Sequence, residues 1–85
     1  MSMFARMVEL EIQAARRKHQ PIHSLHEGYA VVKGELEKFW AVVKVQPEYQ
    51  IKEALLQELV QVAVMAQRTA EDLGLDKEGD NETPA

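Results

Sequence analysis

The chain has 85 residues, 46% of them hydrophobic and 28% charged, which is the profile of an ordinary globular protein with room for one domain. Ten basic against 14 acidic side chains leave a formal charge of −4, which argues against nucleic acid as a partner because a phosphate backbone calls for a basic surface. There is no cysteine, so disulfides and thiolate metal sites are excluded, and no apolar run approaches a membrane span. The first residues lack the basic then apolar pattern of a secretory signal, so the expected location is the cytoplasm.

The first helix is expected over about residues 3–18, where Met3, Met7, Leu10 and Ala14, flanked by Phe4, Val8, Ile12 and Ala15, recur at helical spacing. Arg16, Arg17 and Lys18 fall in its last turn, where cations complement the helix dipole; the same three side chains are candidates for binding phosphate. Pro21 ends the element, since the residue before a proline is driven out of the helical region.

Ser24 and Glu27 form a Ser-x-x-Glu capping box ahead of a second helix, expected over about residues 25–45. One face of it carries Gly28, Val31, Val32, Phe39 and Val42 around Glu35. A second stripe, Leu25, Tyr29, Leu36, Trp40 and Val43, is turned well over 60° from that glutamate. Apolar residues on two sides call for neighbours on two sides. Tyr29 and Trp40 fit a core or an interface better than base stacking.

Pro47 breaks the chain, and the short connection makes a third helix, expected over about residues 48–73, an antiparallel neighbour. Its Glu58 lies among Ile51, Ala54, Leu55, Val62 and Met65, and Gly74 suits the left-handed position after its end. Residues 75–85 are polar and acidic and are expected to form a disordered tail, so residues 1–74 make the single helical domain. An all-α, three-helix chain this short buries only about 60 to 65% of the surface it exposes when unfolded, which favours self-association into a bundle, as a homodimer or homotetramer.

Glu35 and Glu58 carry the chemical interest. Removing an ionised carboxylate from water costs several kcal/mol even after relaxation, so each needs a cation, a proton or an interface. The three histidines, His19, His23 and His26, lack the helical spacing of a metal pair and fit capping and loop hydrogen bonds. Glu27 likewise reads as a cap rather than a ligand. No phosphate-cradling glycine loop, nucleophilic triad or dinucleotide fingerprint is present.

The stretch His23-Ser24-Leu25-His26-Glu27-Gly28-Tyr29-Ala30-Val31-Val32, continued by Glu35-Leu36-Glu37-Lys38-Phe39-Trp40, resembles the small MazG-like, all-α nucleotide pyrophosphohydrolases. The segment from Glu58 to Arg68, with Glu71-Asp72-Leu73, is similar to their following helix. The resemblance implies a Mg²⁺-dependent (or Mn²⁺-dependent) enzyme that cleaves nucleoside triphosphates to the monophosphate and pyrophosphate. It also implies a metal site made of a Glu-Glu-x-x-Glu and a Glu-x-x-Asp motif. Those motifs fall here on Gly34, Glu35 and Lys38, and on Glu58 and Gln61, so only Glu35 and Glu58 match. A lysine ammonium competes for the same carboxylates with an attraction of about 4 kcal/mol at about 4 Å and an effective dielectric near 20. The expected function is therefore a pyrophosphohydrolase with weakened or lost catalysis; the alternative is a non-catalytic binding or interaction module in which Lys38 replaces the metal.

Overall fold

The computed structural model describes residues 2–45, 47–49 and 51–77. Three helices, α1 (Met3–Lys18), α2 (Leu25–Val43) and α3 (Lys52–Asp72), account for about three quarters of them, with a single 3₁₀ turn at Pro47–Tyr49 and, among the described residues, no strand. The fold is all-α. No helix among these residues is long and apolar enough to cross a membrane. Most of the expected tail, residues 78–85, lies outside the described residues.

Each helix end has a local cause. Ser2 caps α1 by accepting the Ala5 N–H at 3.1 Å. Ser24 Oγ accepts the Glu27 N–H at 3.0 Å, as a capping box requires, but the Glu27 carboxylate reaches one residue further back, to the His23 N–H at 2.6 Å. The second helix stops at Val43, two residues before its expected end, with Lys44 as its cap.

The third helix starts at Lys52 rather than near Glu48. Pro47 first closes a 3₁₀ turn, and Ile51, at the cap position, has no side-chain hydrogen bond to offer. Its far end is well determined: Gly74 adopts φ +69°, the Leu75 N–H donates to Ala70 O at 2.8 Å and the Gly74 N–H to Glu71 O at 3.1 Å. That is a Schellman ending, and it carries residues 75 and 76 into a turn where a disordered tail was expected to begin.

The three helices form one layer with α3 in the middle, elongated at 48 × 28 × 24 Å; α1 and α2 each pack on α3 and not on one another. The bond from Gln61 to Glu11 and the pair of Arg16 with Asp72 set α1 parallel to α3. Gly28, near the start of α2, meets Thr69, near the end of α3, so α2 runs antiparallel. The buried apolar core is Val8 and Ile12 of α1 against Val60 and Val64 of α3. By contrast α2 buries only Gly28; the Leu25, Tyr29, Leu36 and Trp40 stripe is exposed, so neither aromatic belongs to a core within the chain.

Candidate functional site

A cleft of about 570 Å³ opens where the connection between α1 and α2 crosses over α3. Helix α2 supplies Glu27, Val31, Gly34, Glu35 and Lys38, all on one flank at helical spacing; α3 supplies Met65 and Arg68; the connection supplies His19, Gln20 and Ile22. The size is that of a small-molecule pocket. Glu35, Gly34 and Lys38 thus share one wall, whereas Glu58 and Gln61 do not line the cleft.

Lys38 Nζ lies 3.3 Å from Glu35 Oε1, with the lysine side chain 65% exposed and the glutamate 14% exposed. The carboxylate is therefore largely withdrawn from water, as its place in an apolar face requires, and its cation stands at the solvent edge. Lys38 does not bridge to Glu58. One oxygen of Glu58, Oε2, is buried with no hydrogen-bond partner. Gln61 turns the other way, its amide donating to Glu11 Oε2 on α1 at 3.1 Å.

Mg²⁺ takes six oxygens in near-octahedral order and draws them from carboxylates, water and phosphates. The donors here do not fit it well. Of the five motif positions only Glu35 and Glu58 carry carboxylates, the first is engaged by an ammonium group, and the Gln61 amide is bound elsewhere. Among the described residues no group of three or more His, Asp or Glu is placed to hold a metal.

The wall opposite α2 contains a residue whose role cannot be read from its spacing. Arg68 is 95% buried, at 5% exposure, and donates from Nη2 to Gln20 O at 3.0 Å and from Nη1 to Met65 Sδ at 3.6 Å, while its Nε finds no partner. One turn on, Asp72 accepts the Ile22 N–H at 2.8 Å and Arg16 Nη1 at 2.7 Å. Burial alone pushes the Asp72 carboxyl up, but the bonds from Ile22 and Arg16, with the charges of Arg16 and Arg68, outweigh it and hold the group below its usual range. The bond from Arg16, then that from Gln67, lowers Glu71 as well. Arg68 and Asp72 together pin the segment that walls the cleft.

The candidate phosphate ligands of the first helix are differently disposed. Arg16 is committed to Glu71 and Asp72, each at 2.7 Å, while Arg17 and Lys18 are exposed at the helix end and do not line the cleft. Of the histidines only His19 reaches it. The sequence reading missed Glu11, Arg68 and Asp72 as functional neighbours; their partners lie about 50 residues away in the chain, and only the buried position of Arg68 on the helix signals it. No family model, curated protein or solved structure matches the chain.

Proposed function

We propose that this chain is a helical binding or interaction module that follows the plan of a MazG-like nucleotide pyrophosphohydrolase without its metal-dependent catalysis, Lys38 supplying at Glu35 the positive charge that a metal would bring. The observation that carries the reading is the 3.3 Å approach of Lys38 Nζ to a glutamate that is 14% exposed. A carboxylate so withdrawn needs a cation, and the ammonium group provides it without the octahedral oxygen cage that Mg²⁺ demands. The module acts as a homodimer or homotetramer in the cytoplasm, with the cleft beside Glu35 and Arg68 as its candidate pocket for a nucleoside triphosphate or another small ligand.

A second reading, slow residual hydrolysis of nucleoside triphosphates to monophosphate and pyrophosphate, is favoured by Glu58 Oε2, a buried oxygen without a partner that could accept Mg²⁺ or Mn²⁺. Calorimetric titration with each ion, together with pyrophosphate release from a panel of ribo- and deoxyribonucleoside triphosphates, separates the two. The first reading expects neither saturable metal binding nor turnover. Metal-dependent pyrophosphate release by the native chain would establish the second and overturn the first.

A further inference from the structure

Helix α2 has two flanks. One carries Glu27, Gly34 and Lys38 into the cleft; the other carries Leu25, Tyr29, Leu36 and Trp40, which are 38%, 67%, 52% and 57% exposed. At 100° per residue, and with α2 and α3 antiparallel, Leu59 of α3, 41% exposed, lies on the same side of the layer as this stripe and on the side away from Arg68. On that side α2 and α3 thus present these apolar side chains, with the Lys33 and Lys44 ammonium groups each 5.9 Å from the centre of the Tyr29 and Trp40 rings, while the other side is crossed by the connection between α1 and α2.

We propose that this side is where a second copy of the chain docks, α2 and α3 of one protomer covering α2 and α3 of the next. The proposal rests on the self-association stated above and gives it an interface.

Three observations select another copy as the occupant. Helix α2 only half-buries Val31, Val32, Phe39 and Val42 and leaves the stripe in water, so the stripe gains from cover wherever the chain folds, and another copy is always present to provide it. The area is suitable: an aromatic side chain buries about 150 to 250 Å² when covered, so Tyr29 and Trp40, 67% and 57% exposed, hold out roughly 200 to 300 Å² of the about 800 Å² per partner that a stable dimer uses. The three leucines and their half-buried neighbours extend it.

The rim is also self-complementary. Lys33 and Glu37 stand one turn apart beside the stripe, 3.9 Å from one another and 56% and 68% exposed, with the Lys33 ammonium also 5.9 Å from the centre of the Tyr29 ring. A two-fold axis passing between them sets Lys33 of each copy opposite Glu37 of its partner, which is the reciprocal arrangement an isologous interface requires.

The test is light scattering coupled to size exclusion on the full chain at micromolar concentration, with helicity followed by circular dichroism. The expected result is an even-numbered oligomer for the native chain and a helical species of half that mass, or of a single chain, for Leu36→Glu and for Trp40→Glu. Gln13→Glu, at an exposed position of α1, should leave the native mass unchanged.

Because the chain has no cysteine, an equimolar mixture of Lys33→Cys and Glu37→Cys chains gives a direct second reading even if the glutamate variants fail to fold. Mild oxidation should join residue 33 of one chain to residue 37 of another. A native oligomer that both glutamate variants retain, or that forms no such disulfide, would overturn this face while leaving self-association standing. A native monomer would overturn both.

Discussion

Asp72 on α3 holds the backbone N–H of Ile22 at 2.8 Å, fifty residues away in the chain, and so fastens the segment between the first two helices to the end of the third. The other carboxylate oxygen takes Arg16 at 2.7 Å, and the side chain is only 4% exposed. The arrangement works only while the carboxyl is ionised, because burial opposes the charge and the bonds from Ile22 and Arg16 support it.

The pH dependence follows from the direction of that shift. A carboxyl whose folded pKa is depressed adds stability that is fully present above its unfolded value, about 3.9 for aspartate, and is lost as pH falls through the folded value. Asp72→Asn should cost about 1.5 to 3 kcal/mol at neutral pH, the range for hydrogen bonds to charged groups. Melting curves from pH 7 down to pH 2 should show the gap between native and variant chains closing in the acid range. A gap that is constant across the series would remove ionised Asp72 from the account.

Lys38→Ala should destabilise the chain by only about 1 kcal/mol, because the lysine is 65% exposed and solvent-edge pairs contribute little. Lys38→Glu should cost more, since it sets a second negative charge beside the withdrawn Glu35. Added Mg²⁺ should then raise the melting temperature of Lys38→Glu more than that of the native chain, as a ligand of the folded state does. Equal responses to Mg²⁺ would count against Lys38 as the cation that substitutes for a metal.

Two glycines of the same helix should respond in opposite directions. A Cβ on Gly28 would stand 2.5 Å from Thr69 Cγ2 and 2.9 Å from Thr69 Oγ1, and Thr69 is held in place by its 2.8 Å bond to Met65 O. Gly28→Ala should therefore destabilise by about 1 to 3 kcal/mol, the usual cost of overpacking, and Thr69→Ala should recover part of it in the double variant. Gly34 has open space at the Cβ position, so Gly34→Ala should stabilise by up to about 1 kcal/mol through helix propensity. Chemical denaturation of the four chains checks both signs.

Restoring the acidic pattern tests the proposed replacement of a metal by Lys38. Gly34→Glu, Lys38→Glu and Gln61→Asp together should raise the affinity for Mg²⁺ above that of the native chain, read as a melting temperature that rises more steeply with Mg²⁺ concentration. Without the ion the triple variant should be less stable than Gly34→Glu with Lys38→Glu, because Gln61→Asp removes the amide that bonds Glu11 and places two carboxylates together. If the triple variant folds and ignores Mg²⁺, the five positions do not make a site in this chain.

Much of the architecture was legible before any coordinates, and the residues show why. Apolar spacing marked three helices; Ser24, Pro21 and Gly74 fixed ends because each acts on its own few neighbours. The start of α3 was not legible: Ile51 offers no cap, and the turn after Pro47 looks like the first turn of a helix until its hydrogen bonds are known. The glutamate-centred face of α2 correctly implied a withdrawn Glu35. Sequence spacing could not show that Gln61 faces Glu11 instead, or that Arg68 is spent on the Gln20 carbonyl, because those depend on which sides of α3 meet α1 and the connection.

The central place of α3 also bears on how the chain folds. Since α1 and α2 do not pack on one another, residues 2–45 hold two helices with no partner between them. Short isolated helices are marginal in water, and within the chain the lasting cover of both arrives only with α3. Formation of α3 is therefore the step on which both outer helices depend, and a substitution that weakens α3 loosens the two of them together.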